Sequence, residues 1–280
     1  MAETLCDHYQ RSEAQKTAQV SIQQRNHIRF LGTAGSRWVV SRQFRASGGT
    51  YLELQGQRVL MDPGPGSLVR CAQTTPPINP VDLDGIIVTH RHIDHCNDVT
   101  ILADSMTGGG LHRRGTLFAP ASCLEPDASI LMPYAATFME KVQPMQPSSD
   151  YALGRLRFST TVPHIHGAVE TFGVIFHLDG IKLAFLVDTR YFDGLARAYA
   201  STDVLVVNAT LMESPASPHI YHLGLDDVRN LLTRLRPAKT VLTHFGMPVL
   251  KAGPEEVAQD LASELGLDII AATDGMRIDL

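Results

Sequence analysis

This chain of 280 residues is poor in cysteine, in net positive charge and in long apolar runs, and each shortage removes a class of function. Its four cysteines (Cys6, Cys71, Cys96, Cys123) form no C-x-x-C pair and are too sparse for a disulfide framework. Lys and Arg number 24 against 29 Asp and Glu, so the net charge of −5 supplies no global pull toward nucleic acid or an anionic membrane. No apolar run approaches the length of a membrane span. The first residues, with Glu3, Asp7, Arg11 and Glu13 among them, lack the apolar stretch of a signal peptide. A cytoplasmic protein with no membrane partner is expected. No internal repeat is visible, and 44% hydrophobic with 19% charged residues describes a globular chain with ample core.

What is present is histidine, twelve residues of it, several in ligand-like places. The chain is organised around Gly85-Ile86-Ile87-Val88-Thr89-His90-Arg91-His92-Ile93-Asp94-His95. A short, β-branched, continuously apolar run opened by glycine reads as a strand buried on both faces. His90, His92, Asp94 and His95 then fall within six residues. Imidazole and carboxylate are ligands that zinc, manganese and iron(II) accept. His90 and His92, two apart, share one side of an extended backbone. Asp94 and His95 come where the chain turns into a helix running through Val99, Ile101 and Leu102. Four donors this close point to two metals. Scattered polar turn residues are the alternative, and the position at a buried strand's end argues against it.

Elsewhere the patterning predicts strands over 27–31, 49–54, 57–61, 117–120, 156–162, 173–176, 181–187, 203–207 and 240–243. Helices are expected over 97–106, 133–142, 226–236 and 254–265, with a closing strand pair split by Asp274-Gly275. Residues 1–26 read as a polar arm, weakly helical over 13–16, and 27–280 as one domain. Gly32-Thr33-Ala34-Gly35-Ser36 reads as a hairpin loop, with a phosphate cradle as the alternative, and the Pro-rich stretch 70–82 as a surface connection. Gly108-Gly109-Gly110 either stops a helix or flexes near a site entrance. Taken alone, Asp62 before Pro63-Gly64 is a turn former, Asp188 a helix N-cap and His222 a helix-capping residue.

Thr89-His90-Arg91-His92-Ile93-Asp94-His95 resembles the T-H-x-H-x-D-H signature of the metallo-β-lactamase fold, specifically its binuclear hydrolases. The family's other motifs follow in order over roughly residues 28–250. The resemblance implies an α/β chain folded as a four-layer αββα sandwich, with ligands on loops at one sheet edge. It assigns His90, His92 and one histidine of Pro163-His164-Ile165-His166 to a first metal. Spacing to Gly173 favours His166 and leaves His164 for the substrate or the ligand surroundings. Asp94, His95 and His244 would hold the second metal, and Asp188 would bridge both as a two-oxygen anion. Asp62 would support a ligand histidine without binding metal. His222 matches the family's histidine at the scissile phosphate, where it can donate a proton, and Asp94 can also orient the attacking water.

Two divalent ions are therefore expected as cofactors, zinc first, with manganese or iron accepted by the same donors. Phe30 to Ser36 resembles the opening strand-turn of the family's phosphodiesterases. Transfer-RNA 3′-processing endonucleases of this fold carry His-Glu-Ala-Thr where this chain has Val207-Asn208-Ala209-Thr210, and their long exosite arm is not evident here. The activity implied is hydrolysis of a small or cyclic phosphodiester. Lactone or thioester hydrolysis, tRNA processing and a non-enzymatic binding role are the alternatives. A small-molecule phosphodiester is the expected partner, nucleic acid is not favoured, and a homodimer is compatible with the reading.

Overall fold

The structure is a computed structural model that describes residues 26–47 and 49–280; the polar arm read over 1–26 lies, but for its last residue, outside them. Two seven-stranded sheets make up the centre. The first holds β1 (His27–Phe30), β2 (Thr50–Leu54), β3 (Gln57–Met61), β4 (Gly85–Ile87), β5 (Arg114–Pro120), β6 (Met139–Met145) and β14 (Arg277–Asp279), in the order β14-β1-β2-β3-β4-β5-β6. The second holds β7 (Asp150–Leu153), β8 (Leu156–Pro163), β9 (Phe172–Leu178), β10 (Ile181–Leu186), β11 (Val204–Asn208), β12 (Lys239–Thr243) and β13 (Ile269–Ala271), in the order β13-β12-β11-β10-β9-β8-β7.

The continuous apolar runs are explained by burial on both faces. Along β10 and β11, Leu183, Phe185, Val204 and Val206 point into the core shared by the two sheets, against Phe30, Met61 and Phe158. The alternate residues Ala184, Leu186, Leu205 and Val207 point outward onto Val228, Leu231 and Leu261 of the outer helices. On the first sheet Leu60, Ile86 and Leu117 face outward onto Val99, Leu102 and Met106. Period-two alternation between three apolar layers yields the expected αββα sandwich.

Among the described residues the α-helices are α1 (Ser36–Arg42), α2 (Ser67–Gln73), α3 (Ile93–Cys96), α4 (Val99–Thr107), α5 (Pro133–Ala136), α6 (Leu195–Ala198), α7 (Leu225–Leu235), α8 (Met247–Ala252) and α9 (Pro254–Leu265). Several depart from expectation. The Gly32–Ser36 turn is no hairpin, because α1 stands between β1 and β2. The stretch 70–82 contains the end of α2 and a 3-10 turn at Pro80–Asp82. Only the first turn of the helix read over 133–142 forms; Met139–Met145 instead pairs in parallel with β5. As the edge strand of its sheet β6 tolerates Pro144, and its exposed Glu140 and Lys141 discourage further pairing. Gly108 closes α4 in the left-handed conformation, φ 62°, which makes the glycine triplet a helix stop.

The closing strands do not form a hairpin. β13 runs parallel to β12 and β14 antiparallel to β1, so Asp274-Gly275 carries the chain from one sheet to the other. Asp274 also ties down the segment before and after α1: Oδ1 accepts from Thr33 N and Oγ1 at 2.9 and 2.8 Å, and Oδ2 from Ala46 N at 2.7 Å.

Candidate metal centre

Strand direction explains the convergence of the ligands. β3 and β4 are parallel, as are β10, β11 and β12, and β8 runs the same way as β10 because both are antiparallel to β9. Their C-terminal ends open on one edge, and Asp62, His90, His166, Asp188, Asn208 and His244 sit at or just beyond those ends. α3 follows at once and brings Asp94 and His95 to the same place.

Three overlapping groups result: His90, His92, His166 and Asp188; Asp94, His95 and His244; and Asp188, His222 and His244, the donor atoms of each lying within 4.8 Å of one another. In the first, His92 Nδ1 is 3.1 Å from His90 Nε2 and 2.9 Å from His166 Nε2. In the second, His95 Nε2 and His244 Nε2 are 3.1 Å apart, and Asp94 Oδ2 is 3.6 Å from His244 Nε2. Asp188 stands between them. Its Oδ2 lies 3.8 Å from His90 Nε2, 3.6 Å from His95 Nε2, 3.6 Å from His166 Nε2 and 3.8 Å from His222 Nδ1. Its Oδ1 accepts from the Asn208 amide at 2.8 Å and lies 3.4 Å from His244 Nδ1. His164 is not among these groups: its ring spans the Asp188 carbonyl and the Tyr199 hydroxyl. His219 lies on an exposed loop.

The outer contacts decide which ring nitrogens are free to ligate. His166 Nδ1 faces the Tyr221 carbonyl at 3.0 Å and His95 Nδ1 the Asp62 carboxylate at 3.0 Å; both partners only accept, so both Nδ1 atoms carry hydrogen. Thr89 Oγ1 donates to Asp62 Oδ2 at 2.8 Å and so accepts from His90 Nδ1 at 3.2 Å. Thr210 Oγ1 donates to the His244 carbonyl and accepts from His244 Nδ1 at 3.1 Å. All four Nε2 atoms are left as inward lone pairs, which a cation satisfies and a fellow imidazole does not. Two nitrogens on one ion, each about 2.1 Å from it, stand about 3.0 Å apart at a right angle and about 3.4 Å apart in a tetrahedron, near the 2.9–3.1 Å seen. The donor set fits two divalent ions.

Electrostatics favour the same forms. Burial pushes His90, His92, His166 and His222 below the ordinary imidazole range, keeping them neutral. Burial alone would raise Asp188 and Asp94, but the surrounding histidines outweigh it and hold both carboxyls well below their usual range. His95 is the exception: Asp62 and Asp94 outweigh burial and draw a second proton onto its Nε2, the atom a bound cation would take in that proton's place.

Asp62 thus orients one ligand in each group, His95 directly and His90 through Thr89. It is held at φ 50°, a left-handed backbone rare outside glycine and characteristic of functional positions, as is His244 at φ 58°. Asp62→Asn should weaken metal binding about 10–100-fold in both groups, read by metal titration. Loss confined to the group of His95 would show that the Thr89 link carries nothing. Thr89, Thr210, Tyr221 and Asn208 were not identified as site residues from the sequence.

The beta-lactamase superfamily domain matches residues 57–245. An uncharacterised protein of Methanocaldococcus jannaschii is 25% identical over 264 residues, covering 91% of this chain and 96% of that protein. A ribonuclease Z of Thermobifida fusca is 21% identical over 303 residues, covering 89% and 94%. Among solved structures, the metallo-β-lactamase fold protein YhfI from Bacillus subtilis superposes with a TM-score of 0.75 at 15% identity, covering 91% of this chain and all (100%) of that one. A diphosphatase of the PhnP family superposes with a TM-score of 0.64 at 22% identity, covering 91% and 97%. The chain belongs to the beta-lactamase superfamily, with the fold and the two-site His/Asp centre of its metal-dependent hydrolases.

Proposed function

We propose that this protein hydrolyses a small or cyclic phosphodiester. The observation that carries the reading is the shared Asp188 oxygen between two ligand groups, with His222 Nδ1 buried, without a hydrogen-bond partner among the described residues, and 3.8 Å from that oxygen. A diphosphatase and a ribonuclease among the similar proteins favour phosphorus as the electrophile. The net charge of −5 gives no attraction for a long polyanion, and Asn208 stands where tRNA-processing enzymes have glutamate, both of which favour a small substrate.

His90, His92 and His166 would hold one ion, Asp94, His95 and His244 the other, and Asp188 Oδ2 would lie between them. When bound, a divalent pair, with zinc favoured by the imidazole-rich set, supplies Lewis acidity and a water ionised near pH 7. Asp94, kept ionised by His95 and His244 against the effect of burial, accepts a hydrogen bond from the attacking water and aligns it. His222, neutral through burial, donates from Nδ1 to a substrate oxygen as negative charge grows there.

The test is turnover by metal-loaded protein of bis(p-nitrophenyl) phosphate and cyclic nucleotides, with a lactone and a precursor tRNA in parallel. His222→Ala should lower kcat by about 10²–10⁴ with metal content unchanged. Hydrolysis of the lactone but of no phosphodiester would sink the reading.

A further inference from the structure

Asp188 is gripped at both ends by groups outside the ligand set. At the carboxylate, Asn208 Nδ2 donates to Oδ1 at 2.8 Å; Oδ1 otherwise faces His244 Nδ1, the nitrogen turned away from the cluster, at 3.4 Å, while Oδ2 faces the inward Nε2 atoms of His90, His95 and His166. At the backbone, the Asp188 carbonyl accepts from His164 Nδ1 at 3.2 Å. A carbonyl cannot donate, so the ring hydrogen of neutral His164 is on Nδ1 and its Nε2 accepts. The Tyr199 hydroxyl lies 2.9 Å from that Nε2 and 3.1 Å from the Phe185 carbonyl, and its one hydrogen is shared between these two acceptors. Tyr199 is wholly buried, and a Cβ on Gly173 would lie 1.7 Å from its hydroxyl oxygen, so β9 makes room for this ring by carrying glycine there. The parallel register of β10 with β11, Leu186 opposite Val207, carries Asn208 alongside the residues that follow β10.

We propose that Asn208 and the His164–Tyr199 pair are positioning residues that restrict Asp188 to a one-oxygen contact between the two ions, and so set the affinity of the second ion. A carboxylate free at both oxygens can turn and chelate a single ion, which withdraws it from the other. Asn208 anchors the oxygen that such chelation would have to turn toward the ion. It does so with a neutral donor, adding no positive charge to compete with the metals, and it gives a buried carboxylate oxygen its shortest hydrogen bond, the other neighbour, His244 Nδ1, being 3.4 Å away. The inference concerns metal binding alone, so it holds whichever ester or lactone is the substrate and does not fall with the phosphodiester reading.

The experiment is titration of metal-stripped, full-length protein with Co²⁺, followed by calorimetry and visible absorption, beside thermal melting of the metal-free protein. Asn208→Ala should weaken the second Co²⁺ about 10–100-fold, and loss of the donor to a buried carboxylate should lower the metal-free melting temperature by a few degrees. The visible bands should weaken, because freeing Oδ1 raises the coordination number. Tyr199→Phe should shift the second affinity in the same direction by less. Two Co²⁺ bound by Asn208→Ala with parental affinities and spectrum would overturn the proposal. The isosteric Asn208→Asp keeps the test open if the alanine variant does not fold. It sets a second carboxylate against Oδ1 and should weaken the second ion at least tenfold, whereas the added negative charge acting alone would leave binding equal or tighter, and that result would also overturn it.

Discussion

Asp188→Asn should lower hydrolysis about a thousandfold and remove most of the thermal stabilisation that metal confers. The substitution keeps the shape but deletes the single charge that faces both ligand groups. Losing roughly 4 kcal/mol of transition-state stabilisation corresponds to about 10³ in rate. An ion present at a thousand times its Kd stabilises the folded chain by about 4 kcal/mol. For a domain of this size that is roughly 8–16 °C in Tm. In Asp188→Asn the shift on adding metal should fall to less than half of the parent's. Without metal the variant should melt close to the parent, because a neutral amide is easier to bury than a carboxylate. Differential scanning calorimetry with and without zinc, beside elemental analysis, reads all three quantities. Two tightly held ions and near-parental turnover in this variant would place the bridge elsewhere.

The ligand groups were legible because the strands that position them are buried on both faces. Gly85 to Val88, Ile181 to Val187 and Thr240 to Thr243 each read as an apolar run, and the donor residues follow where the run stops. The groups that orient the ligands were much less visible. Tyr221 acts through its carbonyl, which no side chain announces, and Thr89 and Thr210 look like ordinary strand-end residues until Asp62 and His244 are placed beside them. The helical pattern over 133–142 runs into β6 because Met139-Glu140-Lys141-Val142 satisfies either period, and pairing with β5, a long-range event, decides it. The Gly32–Ser36 loop hid α1 because that helix opens on a left-handed Ser36, φ 66°, after Gly35, with no side-chain cap to mark its start.

Gly35→Ala and Gly64→Ala should each destabilise the chain and strip the second ion selectively. Neither glycine has a positive φ; what each supplies is space for another strand of backbone. A Cβ on Gly35 would lie 2.0 Å from the His244 carbonyl oxygen and 2.6 Å from His244 Nδ1, and one on Gly64 would lie 2.0 Å from the Asp94 carbonyl oxygen. The obstacle is backbone in both places, so no rotamer change relieves it and the chain itself must move. Overpacking of this kind costs about 1–3 kcal/mol, or roughly 2–12 °C in Tm. The displaced residues are Asp94 and His244, two of the three donors proposed for the second ion, while His90, His92 and His166 lie in the other group. His244 is especially exposed to such a shift. Its left-handed backbone at φ 58° is strained, and it is held by Phe245 N on the Thr33 carbonyl and Gly35 N on the Phe245 carbonyl, both at 2.9 Å. Metal content should therefore fall from two ions toward one before the protein unfolds. Gly194→Ala, with φ −73° and only the movable Phe192 ring nearby, should change stability by less than about 1 kcal/mol and leave both ions bound. If the alanine variants at 35 and 64 lost both ions together, in step with unfolding, the two ligand groups would be a single structural unit and not two separately supported sites.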